Sequence, residues 1–350
     1  MNVLYHLSTL PPRMPQAEAL AQEIAALRGR FGGDVVHVNP NQRSLLHIPR
    51  LLFGLHMLGD LRRREAGVHL HHLYNPGPFP FPYLRMLRRP VLYFITCGVG
   101  ERRPNPGFFA SLAAVGVPDR RSLQRLAAWG LENTVLLRPG IDASRFTHSP
   151  LPLRGEIRLM AGSAPWTRGQ FRTKGVDALL EAARRARRRE AGVHLHLVFL
   201  WRGVLVEEME RRVQRMGLGQ QVTLLNRQVD VNAVLAGVHA SVTLATGPGI
   251  IKSYPHSLLD SLAAGKPVLV SRAIPMSDYV AETGCGQVVE GVTPEEILAA
   301  VEALAAAYDR TRRVARQVGQ QDFGQQDMLL SYQEAYERIL GSTQPSSLSF

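Results

Sequence analysis

The run Lys252-Ser253-Tyr254-Pro255-His256-Ser257-Leu258-Leu259-Asp260-Ser261-Leu262-Ala263-Ala264-Gly265-Lys266-Pro267-Val268-Leu269-Val270 holds the clearest chemistry in the chain. Pro255 at a first helical turn, with Gly265 and Pro267 past its end, delimits a short helix that feeds a strand. At the N-terminus of that helix the free amides of His256, Ser257 and Leu258, with the positive end of the helix dipole, form an anion site suited to a diphosphate. Asp260, one turn inside and on the same face as His256 and Ser257, is placed to accept hydrogen bonds from ribose hydroxyls. The plainer reading of the same residues is an ordinary helix-to-strand unit with a buried cap.

Such a helix needs a sheet to stand against. Strand-length apolar runs alternate with helical patterns from end to end, as parallel sheets with crossover helices require. In the first half the pattern predicts strands over Asn2–Leu7, Asp34–Val38, Val68–Leu73, Val91–Thr96 and Thr134–Arg138. Helices are predicted over Gln16–Arg28, within Leu45–Arg64 and before Trp129. Pro139-Gly140-Ile141-Asp142-Ala143-Ser144-Arg145-Phe146, followed by a loop with Pro150 and Pro152, marks a domain boundary. A second alternation then predicts strands over Ile157–Ala161, Leu195–Leu200, Val222–Leu225, Ala240–Leu244 and Val268–Ser271. Its helices run over Val176–Arg189, Val206–Met216, Val231–Leu235 and Pro255–Ala264. Both halves read as doubly wound α/β domains.

Arg64-Glu65-Ala66-Gly67-Val68-His69-Leu70-His71 recurs as Arg189-Glu190-Ala191-Gly192-Val193-His194-Leu195-His196. In each copy a basic helix ends near a glycine and feeds a strand. The histidines alternate along strands, which suits strand faces better than a metal cluster.

At 350 residues the chain is long enough for two domains with ordinary cores. Hydrophobic residues at 45% and charged residues at 20% exclude a disordered or fibrous class. The two cysteines, Cys97 and Cys285, are far apart and have no C-x-x-C partner, which argues against a disulfide framework or structural zinc. Met1 to Leu7 enters a strand directly, and no apolar run reaches spanning length, so the sequence predicts a soluble, cytoplasmic protein. The net charge of +12 comes from arginine-rich stretches such as Arg62-Arg63-Arg64 and Arg184-Arg185-Ala186-Arg187-Arg188-Arg189. These are either solvated helix faces or a surface for anionic lipid, nucleic acid or a polyanionic acceptor.

With those motifs in order, the sequence resembles glycosyltransferase family 4, the retaining nucleotide-sugar-dependent enzymes of the GT-B fold. Pro139-Gly140-Ile141-Asp142 with Arg145-Phe146 looks like the family's interdomain signature. Lys174-Gly175-Val176-Asp177 with Leu180-Glu181-Ala182 looks like its phosphate-binding turn and following helix, and Leu259 to Val270 like its donor helix. The resemblance covers nearly the whole chain. It implies two Rossmann-like, doubly wound parallel-sheet domains facing a cleft: residues 1–148 binding acceptor and 149–325 binding nucleotide sugar. Residues 326–350 are then a helix, Met328 to Leu340, that crosses back to the N-terminal domain, and a loose tail from Gly341.

The resemblance also implies roles. Lys174 reaches the donor diphosphate and neutralises charge on the leaving nucleotide without a metal, so no cofactor is expected beyond the nucleotide-diphosphate sugar itself. The family's arginine after the preceding strand falls near Ser163, with Arg168 or Arg172 in the loop to Lys174 as substitutes or as plain surface charges. Backbone groups of Asn226, Arg227 and Gln228 border the base, whose identity stays open.

Three positions depart from the family pattern. Its paired acids, separated by seven residues, fall on Lys252 and Asp260. A lysine cannot accept hydrogen bonds from sugar hydroxyls, so either the donor sugar carries an anionic group that Lys252 pairs or turnover is impaired. The histidine-glycine pair that borders the family's catalytic centre falls on Cys97-Gly98, with Glu101 and Arg102 nearby for the acceptor. The loop Ser8-Thr9-Leu10-Pro11-Pro12-Arg13-Met14-Pro15 lacks the family's glycine pair and offers Arg13 instead. The expected activity is metal-independent, retaining transfer of a sugar to a cell-envelope glycan or lipid-linked acceptor, with peripheral contact to an anionic membrane face. The alternative is a degenerate GT-B module that binds without turnover. A nucleic-acid partner rests on charge alone and is not expected.

Overall fold

The computed structural model describes residues 1–11, 19–42, 46–188, 193–201 and 204–341. Arg13, Arg189 to Gly192 and the serine-rich tail after Gly341 lie outside these residues. The chain divides into two units, Met1–Pro139 with the segment from Gln325 onward, and Gly140–Gly324.

The first unit contains strands β1 (Val3–Leu7), β2 (Gly33–His37), β3 (Leu70–Asn75), β4 (Val91–Ile95), β5 (Ala114–Val117) and β6 (Thr134–Leu136). Its α-helices are α1 (Ala19–Phe31), α2 (Leu58–Arg64), α3 (Pro106–Ala110) and α4 (Arg120–Ala128), joined by a helix from the C-terminus described below. The strands pair in parallel in the order β2-β1-β3-β4-β5-β6. Both sheet faces are covered, which is why these strands read as nearly continuous apolar runs. One face packs Leu4, Leu73, Tyr93 and Ile95 with Leu61, Leu84 and Leu126. The other packs Val3, Tyr5, Tyr74 and Phe94 with Ile24, Leu27 and Phe31 of α1.

Strand β5 escaped the sequence pattern because it is short and holds a glycine, a residue that weakens the strand signal. Packing explains that glycine: a Cβ on Gly116 would lie 2.7 Å from Leu137 Cδ1 and 3.2 Å from Phe94 Cδ2.

The second unit follows the same plan. Its strands are β7 (Glu156–Ala161), β8 (His194–Leu200), β9 (Val222–Leu225), β10 (Ala240–Thr243), β11 (Val268–Ser271) and β12 (Gly286–Val289). Between and after them come α5 (Gly169–Thr173), α6 (Val176–Arg187), α7 (Val206–Arg215), α8 (Val231–Ala236), α9 (His256–Ala263), α10 (Met276–Thr283), α11 (Pro294–Ala306) and α12 (Tyr308–Gln321). The parallel order is β12-β11-β10-β7-β8-β9. Residues 140–148, which the sequence reading placed in the first domain, cluster with this unit. Ile141 donates its amide to the Phe323 carbonyl at 3.0 Å, and Phe146 packs on the same core as Leu258 and Leu262.

The last helix, α13 (Gln325–Gly341), belongs to the first unit. Met328, Tyr332, Ala335, Tyr336 and Ile339 recur at helical spacing and are buried against β1, β3 and β4 residues. Two polar contacts fix its register. Tyr336 Oη lies 2.7 Å from His72 Nδ1, and Glu23 Oε1 accepts from Tyr332 at 2.8 Å and Tyr74 at 3.1 Å.

Among the described residues no helix is long and apolar enough to cross a membrane.

Candidate functional site

In an open parallel sheet, a crevice forms beyond the carboxyl ends of the strands where the strand order reverses. In the second unit the chain winds outward from β7 through β8 to β9, then returns to β10 on the other side of β7. The reversal therefore falls between β7 and β10, and the sequence-predicted chemistry gathers there.

Gly162 follows β7 directly, and a Cβ at this position would lie 2.8 Å from Ser257 Cβ on the first turn of α9. Ser257 Oγ in turn lies 3.4 Å from Thr243 Oγ1 at the end of β10. The N-terminus of α9 thus rests on the ends of both central strands, and Ser163 and Ala164 follow Gly162 in sequence.

Lys174 closes the set. Its Nζ donates to the Ala164 carbonyl at 3.0 Å. Gly175 behind it adopts φ +68, and a Cβ there would lie 2.7 Å from Leu244 Cβ, so only glycine lets this turn sit against β10. The Thr246 amide donates to Thr173 O at 2.9 Å and ties the loop after β10 to the same turn.

At the helix itself the expectation needs one correction. The Leu258 amide donates to the Pro255 carbonyl at 2.9 Å, so it leaves the anion set. Pro255 acts as the N-cap and α9 starts at His256. The Ser257 amide has no backbone acceptor among the described residues, and it stands at the helix end where the dipole is positive. Asp260 follows one turn later and is half-buried, as is His256.

Lys252 lies in the loop between β10 and α9, half-buried, and among the described residues its side chain has no hydrogen bond or ion pair. The neighbouring Ser253 is fully buried, its carbonyl accepting from Met276 N at 3.1 Å while its hydroxyl has no partner among the described residues.

The remaining predicted donor residues lie on α5, which Lys174 ends, and on the loop after β9. Arg168 opens α5 and lines a cavity of about 410 Å³ with Glu208, Arg211, Gln214 and Arg215 of α7. Arg172 is exposed on α5. The packing of Phe171 beneath Arg212, whose guanidinium lies 4.2 Å from the ring centroid, turns this helix toward α7. Asn226 and Arg227 are exposed on the loop after β9, the edge strand.

The first unit has its own reversal, between β1 and β3. Cys97 and Gly98 follow β4, the next strand, and both are buried. The Cys97 amide donates to Pro76 O at 3.0 Å, and the Val99 amide to Ser122 Oγ at 2.9 Å. The Cys97 thiol lies 4.0 Å from Thr96 Oγ1 in this enclosed spot.

At the reversal itself stands a residue that sequence reasoning missed. Asn75, at the end of β3, is fully buried and accepts from Ser8 Oγ at 2.5 Å and from Arg50 Nη2 at 2.6 Å. The only signal in the sequence was an amide at a strand end followed by Pro76-Gly77-Pro78.

The repeated histidines resolve into hydrogen-bond chains. Tyr83 Oη lies 3.1 Å from His6 Nδ1, His6 Nε2 lies 2.9 Å from His71 Nδ1, and His71 Nε2 lies 3.1 Å from Glu65 Oε1. Glu65 also accepts from the Arg88 amide at 2.6 Å and the Arg89 amide at 3.1 Å. In the second copy His194 is exposed and His196 Nε2 lies 2.9 Å from Thr223 Oγ1. No group of three or more His, Cys, Asp or Glu among the described residues is placed to hold a metal ion.

Residues 168–321 match the family model described as glycosyl transferases group 1. Among curated proteins, a D-inositol 3-phosphate glycosyltransferase of Segniliparus rotundus is 29% identical over 145 residues, which is 41% of this chain. The match spans about a third of that relative's length, 32%. Among solved structures, Anabaena HepE in complex with UDP and glucose aligns with a TM-score of 0.70 at 14% identity, over 95% of this chain and 98% of that one. Sucrose-phosphate synthase from Thermosynechococcus elongatus aligns with a TM-score of 0.69 at 14% identity, over 98% of this chain and 100% of that one. A glycosyltransferase from Rickettsia africae reaches 0.71 at 12% identity, over 98% and 99% of the two chains. At such identities these alignments establish the fold, which is GT-B.

Proposed function

We propose that this chain, a GT-B protein of the group 1 glycosyl transferase family, transfers a sugar from a nucleotide-diphosphate donor to a glycan or lipid-linked acceptor. The observation that carries this reading is the convergence of Lys174 Nζ, the Gly162–Ser257 contact and the α9 N-terminus at the β7/β10 reversal. The positive helix end and Lys174 would hold the diphosphate, and Asp260 the ribose. As the bond from anomeric carbon to diphosphate oxygen breaks, Lys174 offsets the charge that builds on the leaving group. In the retaining course the acceptor oxygen bonds to the same face of the sugar and gives its proton to the departing diphosphate. That course requires neither a protein nucleophile nor a metal. The UDP bound to HepE makes uridine the first base to test.

The test is calorimetric titration of the protein with UDP, GDP and ADP and their sugar conjugates, without added metal, repeated on Lys174→Ala and Asp260→Ala. Binding to one base series that both variants weaken supports the reading. Well-folded protein that binds none of these nucleotides overturns it.

Lys252 favours a second reading, a module that binds its ligand without turnover. A cation without a partner stands where the family resemblance expects a carboxylate on the donor sugar. Lys252→Glu separates the two readings: an appearance of donor hydrolysis in a silent protein supports the module, and loss of transfer from an acidic-sugar donor supports the enzyme.

A further inference from the structure

We propose that Arg50 recognises an oxyanion, a phosphate or carboxylate, carried by the acceptor substrate at the carboxyl edge of the first unit. The proposal rests on the transferase reading for the word acceptor, but the site itself stands on the geometry of the first unit alone.

Arg50 opens a single helical turn, Arg50–Leu52, and its Nη2 donates to Asn75 Oδ1 at 2.6 Å. Asn75 is fully buried and its orientation is over-determined. Its Oδ1 also accepts from Ser8 Oγ, while its Nδ2 donates to Tyr93 Oη at 2.8 Å and to the Gly77 carbonyl. Tyr93 Oη is itself locked, accepting from the Phe79 amide at 3.0 Å and lying within hydrogen-bond range of Gly77 O and Phe79 O. The guanidinium lies 4.6 Å from the Phe79 ring centroid and 5.5 Å from that of Phe81, so aromatic faces hold its plane. Ser8 and Asn75 close β1 and β3, the two strands between which the order reverses.

Several arginines elsewhere pair carboxylates, while others, such as Arg62 and Arg103, donate to backbone carbonyls. Arg63 and Arg64 pair Asp60, and Arg184 and Arg185 pair Glu181. Among the described residues no carboxylate pairs Arg50. Its one polar contact goes to a neutral amide, which fixes the group without cancelling its charge. The rest of its N–H fork is left for a ligand, and a planar fork of that kind matches two oxygens of a phosphate or carboxylate. Because Asn75 and Phe79 already hold the side chain, little rotamer freedom remains to be lost on binding.

The experiment is calorimetric titration with inorganic phosphate at constant ionic strength, with UDP saturating so that the diphosphate site of the second unit is filled. Wild type is compared with Arg50→Gln and Asn75→Asp. The second variant keeps Arg50 but sets a carboxylate against it; because it also loses the Nδ2 bonds to Tyr93 Oη and the Gly77 carbonyl, its fold is checked by thermal melting beside wild type. The expected result is saturable phosphate binding that weakens at least about tenfold in both variants, with UDP affinity unchanged.

Flotation with vesicles containing phosphatidate identifies the source of the oxyanion. Arg50-dependent flotation assigns it to a lipid-linked acceptor, and Arg50-dependent phosphate binding without flotation assigns it to a soluble one. Phosphate affinity in Asn75→Asp equal to wild type overturns the proposal. So does the absence of both phosphate binding and flotation in a protein that binds UDP, a result that leaves the transferase reading standing. Failure to bind UDP would instead sink that reading.

Discussion

The donor site depends on the fit between the end of β7 and the first turn of α9, and Gly162→Ala tests that fit directly. The added methyl would lie 2.8 Å from Ser257 Cβ, where ordinary carbon contacts begin near about 3.5 Å. One partner must therefore give way by roughly 0.5–1 Å. Neither does so freely. Gly162 continues a strand whose Leu159 and Met160 are fully buried, and α9 is anchored by buried Leu258 and Leu259. Overpacking of this kind costs about 1–3 kcal/mol, and a shift of the binding amide by up to about 1 Å costs up to about a hundredfold. UDP affinity, measured by calorimetry, should fall roughly ten- to a hundredfold. Ser257→Gly removes the atom that clashes while keeping the backbone amide. The double variant should therefore recover most of the affinity lost in Gly162→Ala, with a coupling of about 1 kcal/mol or more. UDP affinity within twofold of wild type in Gly162→Ala, or single-variant effects that simply add, would refute this account of the site.

Two further outcomes concern the first unit. Burial lowers the pKa of His6, His71 and His72, that of His72 to about 3. For Glu65, burial acts to raise the pKa, but the amides of Arg88 and Arg89 and the His71 ring more than offset it. Folded-state values below the unfolded ones mean that the unfolded chain takes up protons first. Stability is thus full above about pH 6.5 and falls with acidification, by up to about 1.4 kcal/mol per pH unit for each histidine, with Glu65 adding to the loss below about 4.5. Hydrogen exchange in β1 and β3 between pH 7.5 and 5 reads this out, and a flat profile contradicts it. Ending the chain at Gly324 removes α13, whose Met328, Tyr332, Tyr336 and Ile339 each contribute about 1.5–3 kcal/mol by burial. That sum rivals the whole stability of a typical domain, about 5–15 kcal/mol. Calorimetric scans should then lose the transition of residues 1–139 and keep that of residues 140–324, and a surviving first transition would argue against α13 as an integral part of that core.

Much of the architecture was legible because parallel strands covered on both faces are nearly continuous apolar runs, and β1, β4 and β11 are of that kind. The punctuation of α9 was equally plain: Pro255 caps it, and Gly265 ends it at φ +72. Weak strands were lost where packing demands small or polar residues, as at Gly116 in β5, or Gly286 and Gln287 in β12. The octapeptide echo shows the limit of local pattern. His71 is fully buried beside His6 and Glu65, whereas His196, at the same place in the second copy, is only half-buried and lies beside Thr223. Identical residues acquired different roles from neighbours far away in the chain.

The same limit separates the two candidate sites. The donor residues were readable because Lys174-Gly175 and Pro255 to Asp260 are local motifs, each with a turn or helix end that only certain residue types can make. Their contact through Gly162 was not readable, since a glycine after a strand announces no particular neighbour. Arg50 lies further still beyond local reading. It is separated from Asn75 by 25 residues, and Asn75 from Ser8 by 67. Nothing in the sequence says that this arginine, among so many, is held by a buried amide and not by a carboxylate. In a chain of net charge +12, counting cations cannot find a binding site. What marks Arg50 is a guanidinium that the fold holds by a buried amide and two aromatic rings, with no carboxylate against it among the described residues, at the carboxyl edge of its sheet.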